Sequence, residues 1–353
     1  MAQYEIMSGD TVVAVWKDNR LSVVNEILLP LYLKRYPDAD AWLATRAIDA
    51  HRTHSRLLKK ALRMSEKDDV STALRANGVT ITDNYWVREP GSDTLYRDVC
   101  FDAKYFKKKV SQAIAKLALS GSSSSFNYVA NNNRTAALEL TNIGSFEKCW
   151  KNTDGHWWLY KTANHNERFS ELFVYHLCAK IGIPCAVYER HEQWIKSLDF
   201  TDGKLNFEPA FSFMGDEEDY EKTIDTLQTL CPQAIPDYTR MIFLDALVMN
   251  PDRHTANFGL LRDQSDGTLI GLAPLFDHNM ALIARGYPTG VGKSDLLISL
   301  FKNVIKAHPD YKKWIPAISE DTVRNAVQAV NMRVKTEVIV KYVMGRYALI
   351  VGK

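Results

Sequence analysis

The hydrophobic pattern of this chain changes period along its length, and the order of the changes limits the folds open to it. Between residues 136 and 200 short apolar stretches are separated by turn residues, as strands require. Segments 137–140, 146–150 and 157–161 are expected strands, and Asn152-Thr-Asp-Gly155 is a strong hairpin turn before the last of them. A helix is expected over 166–181, closed by Gly182, followed by strands at 185–190 and 192–200. Beyond 201 the apolar spacing is mainly three and four. Helices are expected at 217–230, 238–249, 294–305 and 321–346, with one hairpin at 258–262 and 269–273. Strands first and helices afterwards point to an α+β arrangement, in which a twisted sheet crossed by one helix precedes a mainly helical part.

The first 105 residues are expected to form a mostly helical accessory region. Val23, Ile27, Leu28 and Leu31 share a helical face, 41–62 and 68–77 suit helices, and 79–87 suits a short strand. Arg46, His51, Arg52, Arg56, Lys59 and Lys60 form either a solvated basic face or a phosphate-binding surface. A helix at 107–119 leads into Ser122–Ser125 and Asn131–Asn133, small polar residues that read as a flexible linker. The expected domains are therefore 1–105, a helix and linker at 106–135, a small β-rich part at 136–200, and a helical part at 201–353.

Composition narrows the function. The 353 residues carry a net charge of +2, which argues against a surface built throughout for nucleic acid. The five cysteines form no Cys-x-x-Cys pair, so a zinc ribbon or disulfide scaffold is not expected and a cytoplasmic setting is. No secretory signal and no membrane span are expected.

The stretch richest in chemistry is Asn250-Pro-Asp-Arg-His-Thr-Ala-Asn-Phe-Gly259. Asp252 and Asn257 stand five apart, the separation found in the protein-kinase catalytic loop. There Asp accepts the proton of the substrate hydroxyl and Asn holds magnesium. The order here is Asp-Arg-His rather than His-Arg-Asp. A chain of this length meets Asp-Arg-His-x-x-Asn by chance roughly once in several hundred sequences. His254 is a candidate catalytic residue, with a hydrogen-bonded structural role as the alternative. Asp245, on the preceding helix, is expected to be a local pairing partner. Twenty residues after Asn257, the apolar run Leu272-Ala-Pro-Leu-Phe ends in Asp277, whose carboxylate can join Asn257 on one magnesium. The glycine of Asp-Phe-Gly is absent, since His278 and Asn279 follow Asp277. Upstream, Gly144 and Ser145 lie in a turn that can approach phosphates, although an ordinary hairpin explains the same residues. Lys161 ends an aromatic strand, and Glu171, on the next helix, can hold it.

With these residues in place, the chain resembles HipA-like serine/threonine kinases of the standalone bacterial type. That family shares a fold with protein kinases and a catalytic loop with phosphatidylinositol 3/4-kinases. The resemblance covers about 136–310 and is firmest at Asn250–Gly259, Ala273–Asp277 and Glu171 through Leu177-Cys-Ala-Lys-Ile-Gly-Ile-Pro184. Ile81-Thr-Asp-Asn-Tyr-Trp-Val87 resembles a stretch ahead of the kinase domain in the same proteins. It implies a two-lobed kinase fold, with a β-rich N-lobe and a helical C-lobe, and ATP and Mg2+ as cofactors. Asp252 would be the base, Asn257 and Asp277 the magnesium ligands, Lys161 the phosphate contact, and Glu171 the partner of Lys161.

The resemblance further implies transfer to Ser/Thr hydroxyls of an unidentified protein, with autophosphorylation near Thr141 or in Ser122–Ser125. It allows an antitoxin-like partner; from the residues themselves no membrane partner and no direct nucleic-acid binding are expected. The run Ile143-Gly-Ser-Phe-Glu-Lys148 departs from the family's Gly-Ala-Gln-Glu-Lys type. Lipid or small-molecule kinase, nucleotide-binding pseudokinase and metal hydrolase are the competing readings.

Overall fold

The structure is a computed structural model that describes residues 3–48, 57, 59–60, 68–101, 113, 116–125, 147–290 and 293–352. The chain divides into two compact units. The first comprises Met1–Thr162, Lys196–Glu208 and Arg262–Thr268, and the second Ala163–Ile195, Pro209–Leu261 and Leu269–Lys353.

The first unit opens with a sheet where mostly helix was expected. Strands β1 (Gln3–Ser8), β2 (Thr11–Lys17), β3 (Arg20–Val23) and β4 (Tyr85–Arg88) lie in the order β3-β2-β1-β4, every neighbouring pair antiparallel. The β2–β3 turn is the two-residue Asp18-Asn19, both at positive φ, which matches the twist of paired strands. Tyr4, Ile6, Val13, Trp16, Tyr85 and Val87 bury one side with Leu33, Trp42 and Leu43 from two short helices, Leu31–Arg35 and Ala39–Ala44. Met7 and Trp86 bury the other side with Val79 and Phe101. Val23 therefore lies in a strand, and Pro30 caps the Leu31–Arg35 helix rather than breaking a longer one. The helix expected at 68–77 is present as Asp69–Leu74, capped by Asp68. The strand expected at 79–87 is β4.

The basic face also needs correction at one residue. Arg46 is buried and bidentate to Asp83, at 3.0 and 2.7 Å, and it donates to the carbonyls of Gly78 and Tyr85. Lys60 is exposed, whereas His51, Arg52 and Arg56 lie outside the described residues.

A second buried pair joins distant parts of the same unit. Arg262 meets Glu208 at 3.1 Å and donates to the carbonyls of Ile27, Leu29 and Gly267, while Tyr85 donates to Glu208 at 2.7 Å. Gly267 has φ +73°, and a Cβ there would stand 2.4 Å from the Ile27 carbonyl oxygen, so glycine is required. Nearby, β5 (Lys148–Thr153) and β6 (His156–Thr162) pair with Lys148 opposite Lys161. Asp154 and Gly155, both at positive φ, make the expected hairpin turn. The strand expected at 137–140 lies outside the described residues.

Asp199, in this unit, has its carboxyl pushed up to about 6 by burial, against the two hydrogen bonds from Thr201 that favour the anion. A carboxyl raised above its unfolded value contributes stability that is full at low pH and lost as pH rises through about 6. Asp199→Asn keeps an oxygen for the Thr201 N–H. It is expected to be more stable than the parent at pH 8, by at most about 3 kcal/mol, and to lose most of that advantage at pH 4. Urea melts at the two pH values check this; a constant difference would remove Asp199 as its source.

The second unit is mainly helical. Its helices include His165–Ile181, Tyr220–Leu230, Ile235–Val248, Leu296–Ala307, Glu320–Val330 and Thr336–Val351. The single helix expected at 321–346 is two, broken where Asn331 turns left-handed at φ 51°. His165–Ile181 starts with a capping box at Asn164 and Glu167 and ends at left-handed Gly182, close to expectation. Cys185 and Leu275 form a parallel bridge, which brings the segment before Asp277 beside the chain leaving that helix.

Candidate active site

The helix Ile235–Val248 ends at Met249, in the left-handed conformation, and the motif begins at once. The Asn250 N–H donates to the Asp245 carbonyl, and its side chain donates to Asp245 Oδ1 at 2.8 Å. Asn250 Oδ1 in turn receives the Asp252 N–H. The sharp exit from the helix is thus closed by side-chain bonds, and Asp252 is set at the start of the loop.

Arg253 organises the rest of the loop. Its side chain is buried, and each of its five N–H donors has a partner. Nε and Nη2 donate to Asp245 at 2.9 and 3.0 Å. Nη1 donates to the carbonyls of Asn257 at 2.6 Å and Phe276 at 2.8 Å. Nη2 also meets His278 Nε2 at 2.9 Å. Burial opposes the charge on this guanidinium, and Asp245 outweighs it, so its pKa stands above the ordinary value. Asp245 is the local partner the sequence suggested. Arginine has no acceptor atom, so His278 Nε2 must present its lone pair.

Asn257 is buried, and its Nδ2 donates to the Asp252 carbonyl at 2.9 Å. That bond orients the amide and leaves Oδ1 as the atom for a cation. Asp277 is half-buried and left-handed, at φ 61°. Its N–H donates to the Tyr188 hydroxyl at 3.0 Å, and the next N–H, of His278, donates to Glu171 Oε1 at 2.8 Å. Burial, followed by the charges of Glu171 and Asp277, raises the Tyr188 pKa well above its ordinary value, so the phenol stays neutral. Among the described residues, no hydrogen bond or ion pair occupies the Asp252 carboxylate. His254 is exposed, and its Nδ1 receives the Ala256 N–H at 3.3 Å; this is a turn bond inside the loop.

Arg253 therefore brings Asn257 and the segment carrying Asp277 together, and Glu171 fixes the backbone next to Asp277. Lys161 is buried on β6 in the first unit, whereas Glu171 belongs to the second. Gly144 and Ser145 lie outside the described residues. Sequence reasoning gave no role to Arg253, Tyr188 or the His278 side chain. Arg253 sat inside the motif as a signal, whereas nothing in the local pattern marked Tyr188.

The donor chemistry fits a hard cation. An amide oxygen and a carboxylate, with phosphate and water to complete the shell, suit magnesium. Among the described residues, no group of three or more His, Cys, Asp or Glu could hold a metal without such help.

A family model described as HipA-like C-terminal domain matches residues 107–337. The chain belongs to this family. No curated protein matches this HipA-like chain. Among solved structures, it is similar to a chain of the Shewanella oneidensis MR-1 toxin–antitoxin complex of HipA, HipB and operator DNA. The identity there is 12%, the coverage 99% of this chain and 97% of that one, and the TM-score 0.54. It also matches the Helicobacter pylori proinflammatory kinase CtkA at 14% identity, over 58% of this chain and 91% of that one, with a TM-score of 0.45. The HipA-like chain has a mixed α/β fold with antiparallel sheets, similar to that of the HipA structure. Among its described residues no helix is long and apolar enough to cross a membrane.

Proposed function

We propose that this HipA-like chain catalyses ATP- and Mg2+-dependent phosphoryl transfer to Ser/Thr hydroxyls of a protein. The observation that carries the reading is the Arg253 fork. It holds Asn257 and the Asp277 segment to one point, and Asn257 binds the backbone carbonyl of Asp252, whose carboxylate no other described residue engages. Asn257 Oδ1 and Asp277 would hold magnesium, which when bound neutralises charge on the phosphate oxygens. Asp252 would accept the hydroxyl proton as the acceptor oxygen attacks the γ-phosphorus of ATP. Lys161 is the proposed phosphate contact. Glu171 would act on the same centre through the His278 backbone. Autophosphorylation and an antitoxin-like partner belong to this proposal, the latter because the similar HipA is part of a complex with HipB and DNA.

The test is incubation with γ-labelled ATP and Mg2+, followed by locating the label. Label on protein Ser/Thr supports the reading; label confined to lipid or released as free phosphate overturns it. In parallel, Asp277→Ala is expected to abolish the thermal shift that Mg-ATP gives the parent, since Asn257 alone cannot hold the ion. An unchanged shift would count against a metal role for Asp277.

A further inference from the structure

Taking Asn257 and Asp277 as the metal ligands, as the kinase reading above does, we infer that Arg253 and His278 form a positioning pair that sets the geometry of those two ligands. Arg253 receives no phosphate and no substrate, because all five of its donors are already committed. Its acceptors flank both ligands. One nitrogen, Nη1, binds the carbonyl of Asn257 itself and the carbonyl of Phe276, one residue before Asp277. The same guanidinium binds the side chain of His278, one residue after Asp277. The two candidate ligands come from segments twenty residues apart, and a single planar cation spans both.

His278 completes the clamp on Asp277. Three consecutive residues are tied at four points: Phe276 C=O to Arg253, Asp277 N–H to Tyr188, His278 N–H to Glu171, and the His278 ring to Arg253. Asp277 needs this restraint, because a non-glycine residue at φ 61° sits in a disfavoured region and relaxes when released. In the usual Asp-Phe-Gly arrangement the residue after Asp is Phe and carries no acceptor. Here an imidazole with no solvent exposure occupies that place and anchors the backbone from the side-chain direction.

Lysine at 253 has three donors on one nitrogen and cannot reproduce the fork. Outer-shell groups of this kind typically change metal affinity by roughly 10- to 100-fold when removed.

The experiment targets the His278 position, because Arg253 variants leave Asp245 buried without its partner and can fail to fold. Mn2+ is titrated by EPR into the full chain in the presence of a non-hydrolysable ATP analogue. Four proteins are compared: the parent, Asp277→Ala, His278→Leu and His278→Gln. The parent is expected to show a saturable site that Asp277→Ala lacks. His278→Leu should bind Mn2+ roughly 10-fold or more weakly with its circular dichroism unchanged. His278→Gln, whose side-chain oxygen can replace the Nε2 acceptor, should recover most of that loss. If His278→Leu titrates like the parent, or if Gln is as weak as Leu, the positioning role is overturned while the metal site stands. If parent and Asp277→Ala bind Mn2+ alike, the metal-ligand reading itself fails, and the positioning role with it.

Discussion

Replacing Asp252 by Asn is expected to lower phosphoryl transfer by roughly 10²- to 10⁴-fold while leaving the fold and nucleotide binding intact. The substitution keeps shape and volume. It also keeps the local bonds, because Asp252 contributes its backbone rather than its carboxylate to the loop: its N–H goes to Asn250 and its carbonyl receives Asn257 Nδ2. What disappears is the one carboxylate of the loop that no neighbour occupies among the described residues. The measurement is initial rate with labelled ATP, alongside the Mg-ATP thermal shift. Near-parent transfer would exclude Asp252 as the base. Loss of the thermal shift together with transfer would instead place Asp252 in nucleotide or metal binding.

The largest expected effect on stability lies in the first unit. Arg262→Met leaves Glu208 buried without its cation, and strips the carbonyls of Ile27, Leu29 and Gly267 of their donor. Breaking one side of such a pair costs about 3–5 kcal/mol, which lowers the apparent Tm by roughly 10 °C. Burial already raises the Glu208 pKa, and Arg262 is the main group opposing that rise. Without Arg262 the carboxyl rises further. A carboxyl held above its unfolded value loses its stabilising contribution as pH increases through the folded pKa, so the deficit should widen from pH 5 to pH 8. The double variant Arg262→Met with Glu208→Gln should recover part of the loss, because no buried charge remains. Urea unfolding of the two variants and the parent decides it. A single variant within about 1 kcal/mol of the parent would show that this pair does not anchor the unit.

The elements legible in the sequence were those whose signals are local. Asn164 and Glu167 cap one end of His165–Ile181 and Gly182 closes the other, all within or beside the residues that form the helix. Asn152-Thr-Asp-Gly155 folds because its own φ preferences match the hairpin it closes. The family was legible too, since Asn250–Gly259 and Ala273–Asp277 combine residue types that chance seldom assembles.

Of the amino-terminal sheet only β4 was legible. β3 has four residues with mixed exposure, β1 changes register between Ile6 and Met7, and β4 pairs with β1 across 77 to 83 residues of sequence. β4 is the exception, expected as the strand at 79–87, and its Tyr85, Trp86 and Val87 are all buried. At the site, the sequence by itself determined which chemical groups are present: a carboxylate and an amide five apart, and a second carboxylate closing an apolar run. Tertiary structure decided that Asn257 and the Asp277 segment meet at Arg253, and that Tyr188 and Glu171 hold the backbone around Asp277. The physical reason is range. Caps and tight turns are satisfied by neighbours within a few residues, whereas a buried guanidinium takes its five acceptors from wherever the folded chain supplies them, and no local pattern encodes that choice.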